Sequence, residues 1–266
     1  MLLLFTEIKL NHSAKSQFNK EGYYLARGLF KKDVGVFEKE FDKIILQLKK
    51  SGENINARWG SELTKKIESQ NSVVIHTHNV QSYSSAMLNM VQNRDFLDMA
   101  ELFIGPDIVL HHTKLFLKPP KIGAAFPLHQ DWSYFPTKNN SMIAAIIHIT
   151  DSNEEMGCLR VIPKSHKLGK IKNSHGHVSK SEIHKDNSLE SAVPLNAKRG
   201  DVVFFHCCSL HGSMANKSIK PRKTILVQLY SGNDKVVGGN SHTNVQLVLR
   251  GWNSSATRES VGNLSA

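Results

Sequence analysis

From Ile108 to Asp131 the chain reads Ile-Val-Leu-His-His-Thr-Lys-Leu-Phe-Leu-Lys-Pro-Pro-Lys-Ile-Gly-Ala-Ala-Phe-Pro-Leu-His-Gln-Asp. A β-rich run stops at Pro119-Pro120, which lack backbone donors, and a second run begins at Leu128. The rhythm continues downstream. Ile108 to Leu117, Leu128 to Phe135, Met142 to Thr150, Cys158 to Ile162, Val202 to Cys208 and Thr224 to Tyr230 all read as strands. Lys138 to Asn140, Asn153 to Gly157, Arg199-Gly200 and Asn216 to Pro221 punctuate them. Short strands without long helices between them predict an antiparallel sandwich or barrel. Upstream the period is helical. Val34, Phe37, Phe41, Ile44, Ile45 and Leu48 make an apolar stripe that ends near Gly52. Asn93 is placed to cap a second helix carrying Phe96, Leu97, Ala100, Leu102 and Phe103 before Gly105-Pro106. Helices followed by strands predict a mostly β jelly roll with a helical layer on one face.

At 266 residues the chain is read as one domain over 1–266, helical to about 105, with a β core over about 106–232 and a C-terminal extension over 233–266. A hydrophobic fraction of 40% with 21% charged residues argues against disorder. Apolar runs such as Met142 to Ile147 fall far short of the roughly 20 residues of a membrane span. Cys158, Cys207 and Cys208 are too few for a disulfide framework, and neighbours on a strand point to opposite faces, which disfavours a Cys207–Cys208 bridge. Met1 to Phe5 is too short for a secretory core, so a reducing, cytoplasmic location is expected. The net charge of +11 is spread along the chain without a nucleic-acid module, so neither nucleic acid nor membrane is expected as a partner. Its densest cluster, Lys164, Lys167, Lys170 and Lys172, reads first as a solvated loop and second as a collar for a phosphate- or carboxylate-bearing substrate.

Among the 14 histidines, His129 and Asp131 stand two apart on a predicted strand. Alternation puts both on one face, about 6.5–7 Å apart at Cα and close enough to share a metal ion. His211 lies where the apolar run from Phe204 gives way to small residues, and it supplies a third ligand. Two histidines and a carboxylate on one face of an octahedron are the arrangement of non-haem Fe(II) oxygenases. A turn through Asn216 to Pro221 is expected to fold the Arg222 strand back beside the His211 strand. Arg222 can then hold a carboxylate bidentately, with Ser213 adding a hydroxyl. His184-Lys185-Asp186 repeats the His-x-Asp spacing in a polar stretch and reads as a solvated loop. His111, His112, His148 and His166 read as structural histidines. His206 reads as facing away from His211, and a zinc site with Cys207 and Cys208 finds no second cysteine pair.

The order His129-x-Asp131, His211, Arg222 resembles the Fe(II)/2-oxoglutarate dioxygenases, and the flanking segments resemble the phytanoyl-CoA dioxygenase family. These segments are Ile104-Gly105-Pro106-Asp107-Ile108, Leu117-Lys118-Pro119-Pro120, Tyr134-Phe135-Pro136, Gly157 to Lys167, Gly200 to His206 and His211-Gly212-Ser213, with Asn216-Lys217 and Arg222-Lys223. They cover about residues 100–232 in the family's order, and Phe18 to Phe30 is similar to its opening helix and strand. The resemblance implies a double-stranded β-helix of the cupin-like kind. It also implies His129, Asp131 and His211 as Fe(II) ligands and catalytic residues, with Ser213 and Arg222 on 2-oxoglutarate. Lys114 enters the same cosubstrate-binding group, at a place where the pattern has a methionine, and Ile147 stands where it has a tryptophan; both are expected in the cavity wall. The family's upstream cosubstrate lysine has no clear match, the nearest positions being His76, Thr77 and His78. The implied reaction consumes 2-oxoglutarate and O2, releases succinate and CO2, and hydroxylates an aliphatic C–H of a small-molecule or acyl-CoA substrate, with ascorbate as accessory reductant. Retention of Asp131 favours hydroxylation over halogenation. The rival expectations are a cupin-like metal protein that uses no keto acid and a catalytically inactive member.

Overall fold

The computed structural model describes residues 2–172, 174–175, 183, 187–238 and 242–257, with residues 2–11 as backbone alone. Helix α1 (Leu2–Glu21) leads into β1 (Tyr23–Ala26) and α2 (Val34–Lys50). After β2 (Ile75–His78) come α3 (Ser85–Val91) and α4 (Arg94–Ile104), then the β-rich remainder. That part holds β3 (Ile108–Lys118), β4 (Phe126–His129), β5 (Ile143–His148), β6 (Leu159–Val161) and β7 (Val193–Pro194). It continues with β8 (Val202–His206), β9 (His211–Ser213), β10 (Arg222–Ser231) and β11 (Leu247–Arg250). Among the described residues the strands form a seven-stranded sheet, β1-β8-β5-β10-β3-β11 with β2 also on β3, and a four-stranded sheet, β4-β9-β6-β7. The named pairings are antiparallel. The two sheets make the expected jelly roll, and β1, β2 and β11 join it from outside 106–232. No helix among the described residues is long and apolar enough to cross a membrane.

The large sheet is buried on both faces, which is why its central strands read as continuous apolar runs rather than alternating ones. Ile143, Ala145 and Ile147 of β5, with Phe204 and Ile225, pack on the helical layer through Phe30, Phe41 and Phe96. Ala144, Ile146, Val203, Phe205 and Leu226 face the small sheet and meet Leu159 and Val161. The helices form as the periodicity predicts: α2 buries Val34, Phe37, Phe41, Ile44 and Ile45, and the Asn93 side chain accepts from Phe96 N at the start of α4.

Four expectations are corrected. The strand expected from Leu128 to Phe135 ends at His129, because Asp131–Ser133 turns as a short 3-10 helix. There Tyr134 N and Phe135 N donate to the Asp131 carbonyl. The strand expected to reach Cys208 ends at His206, and the turn that follows places both thiols in one buried region with 4.0 Å between their sulfurs. Opposite faces apply only within a strand. β10 does not lie beside β9 but in the opposite sheet, between β3 and β5. Ile147 lies in the core against the helices, and its neighbour Ile146 lines the cavity between the sheets.

His148 closes β5 with both ring nitrogens buried and unpartnered. Burial first, and the Arg222 charge second, hold its pKa down to about 3 against an ordinary 6.5. Between these two values the unfolded chain takes up a proton that the folded chain refuses, so stability is lost as pH falls below 6.5. The slope approaches about 1.4 kcal/mol per pH unit for this one group. Urea unfolding at pH 7 and pH 5 is expected to show the loss, and His148→Leu to show a shallower one.

Candidate active site

His129 ends β4, His211 begins β9, and the two face each other directly across the β4–β9 ladder. Their ring centroids are 4.2 Å apart. Each ring is fixed by the same device: His129 Nδ1 donates to Pro127 O at 2.8 Å and His211 Nδ1 to Ser209 O at 3.0 Å. A carbonyl can only accept, so Nδ1 carries the proton and Nε2 presents its lone pair. The two Nε2 atoms lie 3.7 and 3.5 Å from Asp131 Oδ1. Asp131 Oδ2 accepts from Gln228 Nε2 of β10 at 2.6 Å, a contact between the sheets that sets which oxygen faces the histidines. The donor atoms of all three residues lie within 4.8 Å of one another. Two oriented imidazoles and one tethered carboxylate suit a divalent first-row metal, with the remaining coordination positions left to other ligands.

A second pole lies at the start of β10. Arg222 is buried, its Nη1 donates to the Gly157 carbonyl, and its Nε has no partner. Burial holds its pKa down to about 10. Across the ladder from it stands Lys118 of β3, fully buried, donating to Ser213 Oγ at 2.6 Å and Met214 O at 2.7 Å. Burial, then the Arg222 charge, push Lys118 well below the ordinary lysine range. Among the described residues neither cation has an ion pair. Buried charges left this way are costly, and an incoming carboxylate offsets the cost. Gly157 has φ +67°, and a Cβ there would collide with the Met214 carbonyl, so the turn that presents its own carbonyl to Arg222 requires glycine.

A cavity of about 270 Å³ between the sheets joins the two poles. The triad, Ser213 and Arg222 line it together with Trp59, Phe116, Phe126 and Tyr134. Trp59 packs on His129 at 4.7 Å and on Phe126 at 5.3 Å between centroids. His129, Asp131, His211, Ser213, Arg222 and Lys114, all singled out from the sequence, therefore share one cavity. The route differs from the one expected. Asp131 converges from a turn rather than by strand alternation, and Arg222 reaches in from the opposing sheet. Lys164, Lys167, Lys170 and Lys172 are exposed, and Lys170 Nζ sits 5.2 Å from the ring centroid of Trp132. His184, Lys185 and Asp186 lie outside the described residues.

His206, Cys207 and Cys208 also bring their donor atoms within 4.8 Å, closer company than the sequence suggested. His206 Nδ1, however, is already engaged by Cys208 N at 3.0 Å. His111 and His112 share a 2.7 Å contact between Nδ1 atoms and pack on Phe135. Sequence reasoning missed Lys118 and Gln228. Lys118 had a signal: it shares the strand parity of Lys114 and ends the run at Pro119-Pro120. Gln228 had none, because its partner Asp131 is 97 residues away.

A jelly roll with two histidines and one aspartate between its sheets defines a class of mononuclear metal proteins. Residues 18–224 match the family described as Phytanoyl-CoA dioxygenase (PhyH), and the chain belongs to that family. It is 30% identical over 175 residues to the probable alpha-ketoglutarate-dependent hypophosphite dioxygenase of Stutzerimonas stutzeri, covering 62% of this chain and 60% of that one. It is 35% identical over 168 residues to the peroxisomal phytanoyl-CoA dioxygenase of Homo sapiens, covering 57% and 48%. The matched stretch thus spans 60% of the first relative and about half of the second. Among solved structures, the epimerase SnoN in complex with Fe3+, alpha ketoglutarate and nogalamycin RO superposes with a TM-score of 0.70 at 16% identity, covering 91% of this chain and 99% of that chain. That likeness establishes the fold.

Gln228→Leu removes the donor that holds Asp131 Oδ2 while keeping a side chain of similar size. It is expected to weaken Co(II) binding about 10- to 100-fold by calorimetric titration. His129→Ala removes a ligand and is expected to abolish binding at the site.

Proposed function

We propose that the chain is an Fe(II)- and 2-oxoglutarate-dependent dioxygenase that hydroxylates an aliphatic C–H of a small-molecule or acyl-CoA substrate, releasing succinate and CO2. One observation carries the reading: the His129–Asp131–His211 triad shares its cavity with the buried Arg222, which has no carboxylate partner among the described residues and which Lys118 faces across the ladder. A metal alone gives no reason to bury Arg222 and Lys118 beside it. A dicarboxylic keto acid, bound to the metal at one end and to Arg222 at the other, gives both poles a purpose.

The fit to a metal rests on the two Nε2 lone pairs turned towards one Asp131 oxygen. The fit to the acid rests on the unpartnered Arg222 Nε and on Ser213, whose hydroxyl accepts from Lys118 and so has its own proton to give. When bound, Fe(II), 2-oxoglutarate and O2 supply the oxidising chemistry. The protein supplies placement. Gln228 fixes Asp131, and the Pro127 and Ser209 carbonyls fix the ring planes of His129 and His211. Lys118 aims Ser213, and Gly157 aims Arg222. Trp59, Phe116 and Phe126 keep water from the reacting carbon. The retained Asp131 leaves no place for a halide at its position and favours hydroxylation.

Anaerobic addition of Fe(II) and 2-oxoglutarate to the metal-free chain is expected to give a visible metal-to-ligand charge-transfer band. His129→Ala should give no band, and Arg222→Ala should require at least about tenfold more 2-oxoglutarate. Folded, iron-loaded protein without a band overturns the proposal.

A further inference from the structure

The cavity has a third polar region, which neither the metal ligands nor the Arg222 pole uses. Lys114, Phe116 and Lys118 share one face of β3, since side chains two apart on a strand point the same way. On β2, His78 stands opposite Lys114 and His76 opposite Phe116. His242 packs on His78 with 4.2 Å between ring centroids. Lys114, His76, His78 and His242 all line the cavity. Lys114 Nζ lies 5.1 Å from the Phe135 ring centroid and makes no hydrogen bond or ion pair among the described residues. His76 Nδ1 and His78 Nε2 are buried and unpartnered. Among the described residues lining the cavity the single carboxylate is Asp131, which the triad already occupies. A cation and two idle imidazole nitrogens, with no acid of their own, make a receptor lacking its anion.

Lys114 was grouped with the cosubstrate residues on the resemblance. Its position suggests another role. It lies four residues along β3 from Lys118, about 13 Å at the usual rise, and its electrostatic partner is Asp131 at the metal end. We propose that Lys114, with His76, His78 and His242, binds an oxyanion carried by the primary substrate, a carboxylate or a phospho group, so that the enzyme acts on a small acid whose anionic group is held inside the cavity. The inference rests on the triad being the metal site. It separates a small acid, whose anionic group the cavity holds, from an acyl-CoA. The histidines contribute as N–H donors and Lys114 as the charge, because burial and the Lys114 charge hold His78 down to about 4 and lower His76 as well.

The test uses the whole chain, anaerobic, with Fe(II) and saturating 2-oxoglutarate so that the Arg222 pole is filled. Inorganic phosphate and, separately, butyrate are titrated in by calorimetry, and the charge-transfer band is followed in parallel. The proposal expects saturable millimolar binding of at least one of the two. Preference for phosphate identifies a phospho group, and preference for butyrate identifies a carboxylate. Lys114→Met should weaken the preferred anion about tenfold or more and leave the 2-oxoglutarate requirement of the band nearly unchanged, whereas Lys114→Arg should retain binding. Absence of saturable binding overturns the proposal, as does equal binding to wild type and Lys114→Met. So does a Lys114→Met chain that needs as much extra 2-oxoglutarate as Arg222→Ala, since Lys114 would then serve the cosubstrate. If wild type gives no band, the dioxygenase reading falls, and the phosphate and butyrate titrations of metal-free wild type and Lys114→Met still decide the anion site.

Discussion

The pairing of His129 with His211 across two short strands is the constraint on which the rest of the site depends. A slip of β4 by one residue against β9 would turn His129 to the other face of the small sheet and leave His211 without its partner. Gly212 guards that register, since a Cβ there would lie 2.7 Å from Phe126 O and 3.0 Å from Pro127 O. Each ring is held within its own segment by the carbonyl two residues before it, Pro127 O for His129 and Ser209 O for His211. Backbone geometry, rather than a supporting carboxylate, therefore chooses the tautomer of both histidines. Asp131 is then set from the opposite sheet by Gln228, so the three donor atoms converge only when the two sheets are packed at their native spacing.

The second constraint is charge without a counterion. Arg222 and Lys118 face each other in the core of a sheet, where burial lowers the pKa of both and the Arg222 charge lowers that of Lys118 further. A hydrophobic pair of similar volume would serve the fold better. The arrangement is understandable if the protein is built to be completed by a dianion, which neutralises what the fold leaves exposed to low dielectric. His148, next to Arg222 in the electrostatic sense, bears part of this cost by staying uncharged.

Much of this was legible in the chain because local rules and the final fold agree. The stripe of α2, the Asn93 cap and the runs at Pro119-Pro120 and Gly157 needed no tertiary information, and the order His129, Asp131, His211, Arg222 carried the family resemblance. What failed was inference by strand parity at strand ends. Asp131, Cys207 and Cys208 all lie just past a strand, where a turn and not the pleat decides direction. Partner choice was also invisible. Nothing in the segment from Asn216 to Pro221 says that β10 crosses to the other sheet, because a loop of that length permits either pairing. Lys118 and Gln228 act through residues far along the sequence, and such contacts leave no periodic trace.

Within the sheet, parity is a reliable guide, and it redraws the cavity. Ile147 belongs to the helical face of β5, so the cavity is not shaped by an isoleucine at that position but by Ile146 beside it. By the same alternation Lys114 cannot face the helices: Leu115 does, fully buried among them, and Lys114 must look the other way. A lysine directed into a space already holding Arg222 raises the local potential, and it adds to burial, the larger cause, in lowering the pKa values of neighbouring His76 and His78. With the metal's charge added to that of Lys114, the proposed site favours an acidic substrate over a cationic one, so that charge selects the ligand before shape does.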